Sequence, residues 1–461
     1  MRFNSKPIEE HTEVPLADEG RWDALVEHWQ QRGPIEAGDA PERNACYVLS
    51  VHPRRRVRVA DAQLAEILGL VEAQGDRVVG HEVYELVRPD PRMLIGSGVA
   101  ERIGGEAREA GADMLVVDAE LTPSQTRNLE DATGLPVCDR EAVILNVFQR
   151  HATTRRARLQ VEIAHLQYLR PRIRGIGLNM DQQAGGVMRG KGKGETASEL
   201  LARRLDTRLT DLRRALVGLK HSDSARRRHR DGCARIALVG YTNAGKTSLM
   251  NALTDAGLSA RDRPFETLDT TSRCLTRHGG DVLISDTVGF IRRLPDRLFA
   301  SFESTLAEAR EATLLLLVLD ASDPELELHL ATTREVLERL DAHELPRFYA
   351  FNKVDRCDRE LETERLARLS DGHPHMAVSA RDGAAVARLR EAVLEAVRSG
   401  NQRIELHVPY RASGLIGEIY ASCRVLETRA DERGTHFTIE GEPHVVERIA
   451  RRCAQLGGDA R

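Results

Sequence analysis

The run from Arg235 to Ser248 constrains the fold more than any other part of this chain. An apolar strand pattern, Arg235–Val239, leads directly into Gly240, Tyr241, Thr242, Asn243, Ala244, Gly245, Lys246 and Thr247, which is the spacing GxxxxGK[ST]. Gly240 and Gly245 let the backbone curl so that successive N–H groups point at phosphate oxygens. A helix beginning near Lys246 adds the positive end of its dipole. The strand before and the helix after make this a phosphate-binding loop rather than a chance glycine-rich turn. Lys246 is expected to reach the β- and γ-phosphates, and Thr247 to ligate Mg²⁺.

A phosphate loop does not choose between adenine and guanine. The choice lies in Asn352, Lys353, Val354 and Asp355, which follow an apolar strand pattern ending at Phe351. A carboxylate at Asp355 accepts hydrogen bonds from the ring N–H and exocyclic amine of guanine. Adenine has no donors on that edge, and a buried carboxylate left unpaired costs several kcal/mol. Asn352 and Lys353 are expected to brace the loop and cover the base. Ser379, Ala380 and Arg381, in Val378–Arg381, stand at a later strand end where Ser379 and Ala380 supply backbone contacts to the base. Between the two motifs come Asp286, Thr287, Val288 and Gly289. Asp286 should hold Mg²⁺ through water, and the Gly289 N–H should meet the γ-phosphate. Phe265, Glu266, Thr267, Leu268 and Asp269 occupy the place of a first switch loop. Thr267 is chosen there as the second Mg²⁺ hydroxyl, with Thr270, Thr271 and Ser272 as competitors. The groups acting in hydrolysis are then Lys246, Thr267 and Gly289. Many GTPases follow that glycine with a glutamine that orients the attacking water. Here the position is Phe290, which cannot do so, and intrinsic hydrolysis is expected to be slow until a partner reorganises the site.

The remaining organisation fits around this centre. Apolar runs at Arg235–Val239, Val282–Ile284, Leu314–Leu319, Arg347–Phe351 and Met376–Val378 alternate with helical patterns, so residues 231–400 read as a mostly parallel sheet covered on both faces. Strand patterns at Ala45–Val51, Arg77–Val87 and Met114–Val117, with helices at Ala62–Ala73 and Asp139–Arg150, make 45–150 a smaller α/β domain. Residues 1–44 are polar and read as a flexible extension. Residues 401–461 read as a small α+β domain, with a strand at His436–Glu440 and a helix at Val445–Cys453.

Residues 151–230 differ in character. Leu159, Ile163, Leu166 and Leu169, and then Leu201, Leu205, Leu209, Leu212, Leu216 and Leu219, recur at helical spacing. Two such helices should pack as an antiparallel hairpin joined through Pro171–Gly177 and the glycine-rich Ala184–Thr196. From His151 to Arg230, 19 lysines and arginines stand against seven acidic residues, although the whole chain carries −4. One basic segment in an otherwise acidic protein points to a localised anionic partner. Arg170, Arg172, Arg174, Arg189, Lys191 and Lys193 are its expected phosphate contacts. With 41% hydrophobic and 30% charged residues, no apolar run long enough to span a bilayer and no apolar core near the N-terminus, the composition is that of an ordinary soluble protein, expected in the cytoplasm from its cysteines. The seven cysteines have no CxxC spacing and read as reduced thiols.

With GYTNAGKTS, FETLD, DTVGF and LRPRIRG…GKGET in view, residues 45–400 resemble the HflX family of translational GTPases, within the Obg–HflX group. The resemblance implies GTP as substrate, Mg²⁺ as cofactor, and a monomer that binds the large ribosomal subunit with its hairpin on ribosomal RNA. It implies neither DNA binding nor a membrane span, only membrane proximity through ribosomes. Family members are associated with splitting or rescuing stalled ribosomes under stress. The resemblance also suggests that Asn243 holds a K⁺ ion, as in related GTPases with an apolar residue at the glutamine position. The sequence departs from the family pattern at Val99 in Ile95–Val99, at Lys193 in Gly192–Thr196 and at Thr270 in Leu268–Thr271. The residues alone leave a second reading open, a regulatory switch whose basic hairpin binds an acidic protein. A GTP-dependent RNA-modifying enzyme has no cysteine or metal constellation to support it.

Overall fold

The computed structural model describes residues 44–53, 57–183, 197–228, 234–254, 271–276, 282–357, 363–441 and 443–460. The first unit contains β1 (Ala45–Pro53), α1 (Val57–Ala73), β2 (Arg77–Leu86), α2 (Ser97–Glu109), β3 (Met114–Val117), α3 (Pro123–Thr133), β4 (Val137–Asp139) and α4 (Arg140–His151). Its four strands are parallel, in the order β2-β1-β3-β4. Along β1, Cys46 and Val48 enter one core while Tyr47, Leu49 and Val51 enter another. That alternation is what a central strand buried on both faces requires. Thr122 and Gln125 close a capping box at the start of α3, and Gly134, at φ +68°, ends it. Val99 packs against the core beneath α2.

The hairpin is α5 (Arg155–Gln183) and α6 (Ala197–Arg228). Ile163, Leu209 and Leu212 form its seam, with Leu159, Leu166 and Leu216 against them. Leu169 instead packs against the larger core. One expectation is corrected here. Pro171–Gly177 is not part of the connecting loop, because α5 continues through Pro171 to Gln183. A proline inside a helix costs about 3 kcal/mol. The offset is tertiary: Arg172 donates to the Asp139 carboxylate at 2.8 Å and to the carbonyls of Tyr168 and Leu121 at 3.0 and 2.9 Å. Charge-assisted bonds of that kind are worth about 1.5–3 kcal/mol each. Ala184–Thr196 lies outside the described residues.

The next unit runs β5 (Ala234–Val239), α7 (Lys246–Thr254), β6 (Thr271–Thr276), β7 (Val282–Asp286), α8 (Asp296–Arg310), β8 (Leu314–Asp320), α9 (Leu326–Arg339), β9 (Arg347–Asn352), α10 (Thr363–Leu369), β10 (His375–Ala377) and α11 (Gly383–Arg398). The strand order is β10-β9-β8-β5-β7-β6, parallel except for β6. Leu315, Leu317 and Leu319 of β8 face one core, and Leu314, Leu316 and Val318 the other. The first of these cores is continuous with that beneath α1, α4 and α5, joining Phe148 and Tyr168 to Phe290 and Leu298. The edge strand β6, Thr-Ser-Arg-Cys-Leu-Thr, carries no apolar run, so hydrophobicity alone did not reveal it. The chain closes with β11 (Gln402–Pro409), α12 (Gly414–Ser422), β12 (Arg424–Ala430), β13 (Gly434–Gly441), α13 (Pro443–Gln455) and β14 (Asp459–Ala460). These strands form an antiparallel sheet, β12-β13-β11-β14, over their own core.

Candidate active site

The phosphate loop is shaped by close backbone approaches. Gly240 passes so near β8 that a Cβ would stand 2.2 Å from the Val318 carbonyl oxygen. Gly245 has φ +89°, and a Cβ there would stand 2.3 Å from Asn352 Nδ2. Asn243 takes φ +60°, a left-handed conformation that asparagine tolerates better than most residues. Lys246 opens α7 and is buried, donating to the carbonyls of Gly240 at 3.0 Å and Tyr241 at 2.9 Å. Burial pulls its ammonium down to about 8, against the opposing charge of Asp286. The Thr247 hydroxyl donates to Asp286 at 2.6 Å, which brings together the two groups expected to face Mg²⁺.

The segment after β7 is zipped onto the phosphate loop. The Phe290 N–H donates to Gly240 at 3.0 Å, and the Thr242 N–H donates to Phe290 at 2.8 Å. The Thr287 hydroxyl donates to the Leu238 carbonyl at 2.6 Å. A Cβ on Gly289 would stand 2.9 Å from Thr242 Cα and 3.1 Å from Lys246 Nζ, so a larger residue would push this segment off the loop. Val288 and Phe290 both point into the core, Phe290 at 2% exposure.

The side expected to read the base is built around Asn352. Its Nδ2 donates to the Ala244 carbonyl at 3.0 Å, and its Oδ1 accepts from the Ala380 N–H at 3.1 Å. One amide thus ties the phosphate loop to the loop after β10. Lys353, at φ +63°, pairs with Asp320 at 2.8 Å. Asp355 accepts from the Ser379 hydroxyl at 2.6 Å and faces Arg381 at 3.5 Å. The Ser379 hydroxyl bond holds the Asp355 carboxyl below its usual range. Val354 donates its N–H to the Val378 carbonyl at 3.4 Å. The structure therefore uses the Ser379 side chain to aim Asp355, a role the sequence reading did not assign. Phe265, Glu266, Thr267, Leu268, Asp269 and Thr270 lie outside the described residues. Of the competing hydroxyls, Thr271 is in β6, and Ser272 is hydrogen-bonded to Ser285 at 2.8 Å.

Comparison with known proteins bears on all three domains that precede the C-terminal sheet. Residues 61–149 match the family model described as GTP-binding GTPase N-terminal, and 151–230 the GTP-binding GTPase middle region. Residues 235–353 match the family described as 50S ribosome-binding GTPase. The chain is similar to a GTP-binding protein from Sulfolobus solfataricus solved with GDP, at 23% identity and a TM-score of 0.43, covering 77% of this chain and 99% of that one. It is 40% identical over 432 residues to the GTPase HflX of Gluconacetobacter diazotrophicus, covering 86% of this chain and 94% of that relative. It is also 40% identical over 384 residues to the GTPase HflX of Spirochaeta thermophila, with 83% and 93% covered. The chain belongs to the HflX family of GTPases. Its nucleotide is GTP and its reaction is GTP hydrolysis.

In this HflX chain the site reaches into the N-terminal domain through residues that no local spacing connects. Glu66 of α1 accepts hydrogen bonds from Arg140 of α4 and from the Tyr241 hydroxyl, and pairs with Arg292 at 3.3 Å. Arg140 also pairs with Asp118 at 2.6 Å and donates to the Arg292 carbonyl at 2.8 Å. Arg292 donates its N–H to the Tyr241 hydroxyl at 3.1 Å and pairs with Glu325 at 3.3 Å. The Tyr241 ring stacks on His329 with centroids 3.7 Å apart. Burial alone would push Glu66 up, but Arg140, Arg292 and the Tyr241 hydroxyl outweigh it and hold the carboxyl low. Burial, then the Glu66 charge, drives the Tyr241 phenol far above its ordinary value. We refer to this cluster as the latch. Its one sequence signal was a carboxylate on the buried face of a helix: Gln63, Glu66, Ile67 and Leu70 fall at i, i+3, i+4 and i+7.

Proposed function

We propose that this GTPase docks on the large ribosomal subunit through the α5–α6 arm, with ribosomal RNA as its anionic partner, and that docking times hydrolysis. The arm carries the reading. Its apolar seam is satisfied internally, while Arg203, Arg204, Arg208, Arg213 and Arg214 of α6 lie exposed, Arg208 paired with Glu162 at 2.7 Å and Arg214 with Asp211 at 3.5 Å. The connecting segment adds Arg189, Lys191 and Lys193 among glycines. The description of the matched family as 50S ribosome-binding supports the same partner. Arg172 is withdrawn from the phosphate contacts, because its guanidinium is committed to Asp139 and lies over the Tyr168 ring at 3.5 Å. Arg170 is held by Asp206 across the hairpin at 2.5 Å, and an RNA contact there would first have to break that exposed pair.

Within the site, Lys246 carries its charge to the phosphates, Asp355 reads the base, and Gly289 presents backbone beside Lys246. The hydroxyl of Thr247 facing the carboxylate of Asp286 is a hard-oxygen pair that fits Mg²⁺, with Thr267 completing it from the switch loop. When bound, Mg²⁺ neutralises phosphate charge. Asn243 is placed to favour K⁺. The burial of Phe290 supports slow intrinsic turnover, since that position turns a phenyl ring into the core. A chain that binds in the GTP state and leaves after hydrolysis suits ribosome splitting, rescue or biogenesis in the cytoplasm, acting as a monomer. The test is sedimentation with ribosomes in a non-hydrolysable GTP analogue and in GDP. Analogue-dependent migration with the large subunit, weakening steeply with salt, is expected. A chain that stays at the top of the gradient in every nucleotide state overturns the reading.

A further inference from the structure

The geometry points to a second metal site, far from the nucleotide in sequence, in which His407, Asp431 and His436 of the C-terminal sheet bind a divalent ion of the zinc class. His407 of β11 and His436 of β13 are direct cross-strand partners, so their side chains share one face of the sheet. Asp431 stands in the turn between β12 and β13. Both histidines present the same atom to its carboxylate: His436 Nε2 lies 2.8 Å from Oδ2, and His407 Nε2 lies 3.7 Å from Oδ1. The three ligand atoms lie within 4.8 Å of one another. In a tetrahedral zinc site with bonds near 2.0–2.1 Å, ligand atoms are about 3.3 Å apart. The observed separations straddle that value, so small side-chain rotations admit an ion.

The carboxylate is held in place from behind. Asp431 Oδ1 accepts from the N–H groups of Arg433 at 2.7 Å and Gly434 at 2.8 Å. Ligands fixed by such outer contacts lose little freedom on binding. Among the described residues, His407 Nε2 is a buried nitrogen without a hydrogen-bond partner, although it faces the carboxylate. A Cβ on Gly434 would stand 2.8 Å from that nitrogen, so glycine keeps the approach open. Register places a second carboxylate, Asp459 of β14, beside His407. Two imidazoles and one carboxylate suit zinc and its neighbours rather than Mg²⁺ or Ca²⁺, which take oxygen ligands. The bound ion would clip the β12–β13 turn to β11 and keep an open position for water or a donor from a partner.

The test uses the full chain, stripped with chelator, saturated with Mg²⁺ and GDP, and titrated with Zn²⁺ at about pH 7.5, where unperturbed histidine is neutral. One saturable equivalent of zinc is expected. Co²⁺ in its place should give visible absorption of a four- or five-coordinate ion without a thiolate charge-transfer band. His436→Ala, an exposed position, should lose that equivalent while GTP hydrolysis and far-UV circular dichroism stay as in the parent. His407→Ala should do the same, and if it fails to fold, His436→Ala alone decides. Equal zinc uptake by parent and His436→Ala, or a cobalt thiolate band, would overturn the assignment by placing the ion elsewhere. Absence of saturable uptake would overturn it outright.

Discussion

Replacing Glu66 by glutamine tests whether the latch is a structural tie between the N-terminal domain and the phosphate loop. The carboxylate is 11% exposed, and the side chains of Arg140 and Arg292 are 3% and 10% exposed. Removing one partner of a buried ion pair costs about 3–5 kcal/mol, because the other charge is left uncompensated. Here neither arginine is orphaned, since Arg140 keeps Asp118 at 2.6 Å and Arg292 keeps Glu325 at 3.3 Å. The expected loss is therefore at the low end, about 3 kcal/mol, with the glutamine oxygen still able to accept one bond. Urea denaturation followed by circular dichroism measures it, and a cycle with Arg292→Gln isolates the pair. Residues in one such network couple by about 0.5–3 kcal/mol. The pH dependence has a fixed sign. The Glu66 carboxyl is lower in the folded chain than in the unfolded one, so its contribution is complete above the unfolded value of about 4.3. It disappears as pH falls through the folded value. The gap between parent and Glu66→Gln should thus close in acid. A loss under about 0.5 kcal/mol, typical of surface substitutions, together with additivity in the cycle, would refute the latch.

Three further outcomes are expected. Asp355→Asn removes the acceptor for the guanine N–H groups and should weaken GTP binding about tenfold to a hundredfold, the equivalent of one charged hydrogen bond; unchanged affinity for a fluorescent GTP analogue would mean that Asp355 does not read the base. Lys246 sits at about 8 through burial, and phosphate favours its charged form, so GTP binding should take up a proton near pH 8 and weaken by up to about tenfold per pH unit above it. Calorimetry in buffers of different ionisation heat measures that uptake, and none at pH 8 would refute it. Hydrolysis should be faster in KCl than in NaCl if Asn243 holds K⁺, with equal rates removing that role.

The parts legible in the sequence were those built by contiguous residues. The phosphate loop, Asp286–Gly289 and Asn352–Asp355 each carry their chemistry within a few positions, and a strand pattern announces each. The parallel sheets were legible because β1 is apolar from Ala45 to Leu49, β5 from Ile236 to Val239 and β8 from Leu314 to Leu319, as burial on both faces demands. Three features were not legible, each for a physical reason. The edge strand β6 has a polar sequence, in keeping with a strand whose one strand neighbour among the described residues is β7. The helix through Pro171 depends on Arg172 finding Asp139, 33 residues away. The Glu66–Arg292 pair spans 226 residues, and no periodicity encodes a contact of that separation.

These long-range contacts form one connected path between the arm and the nucleotide. Tyr168 and Arg172 of α5 both bond the Asp139 carboxylate, at 2.9 and 2.8 Å. Asp139 also caps α4 through the Ala142 N–H at 2.9 Å. The next residue is Arg140, the centre of the latch, and the latch holds Tyr241 of the phosphate loop and Arg292 of the segment that follows Gly289. Polar contacts thus run without a break from α5 to the two segments flanking Lys246. Spatial connection is not coupling, and a partner changes hydrolysis only if it binds two arrangements of this path with different affinity. The path makes that requirement measurable. Arg172→Gln should leave GTP affinity near the parent value, because Arg172 bonds Tyr168, Leu121 and Asp139 and, among the described residues, no nucleotide-site residue, yet should reduce stimulation of hydrolysis by ribosomes. If stimulation survives intact in Arg172→Gln, the arm signals by another route, and the latch serves stability alone.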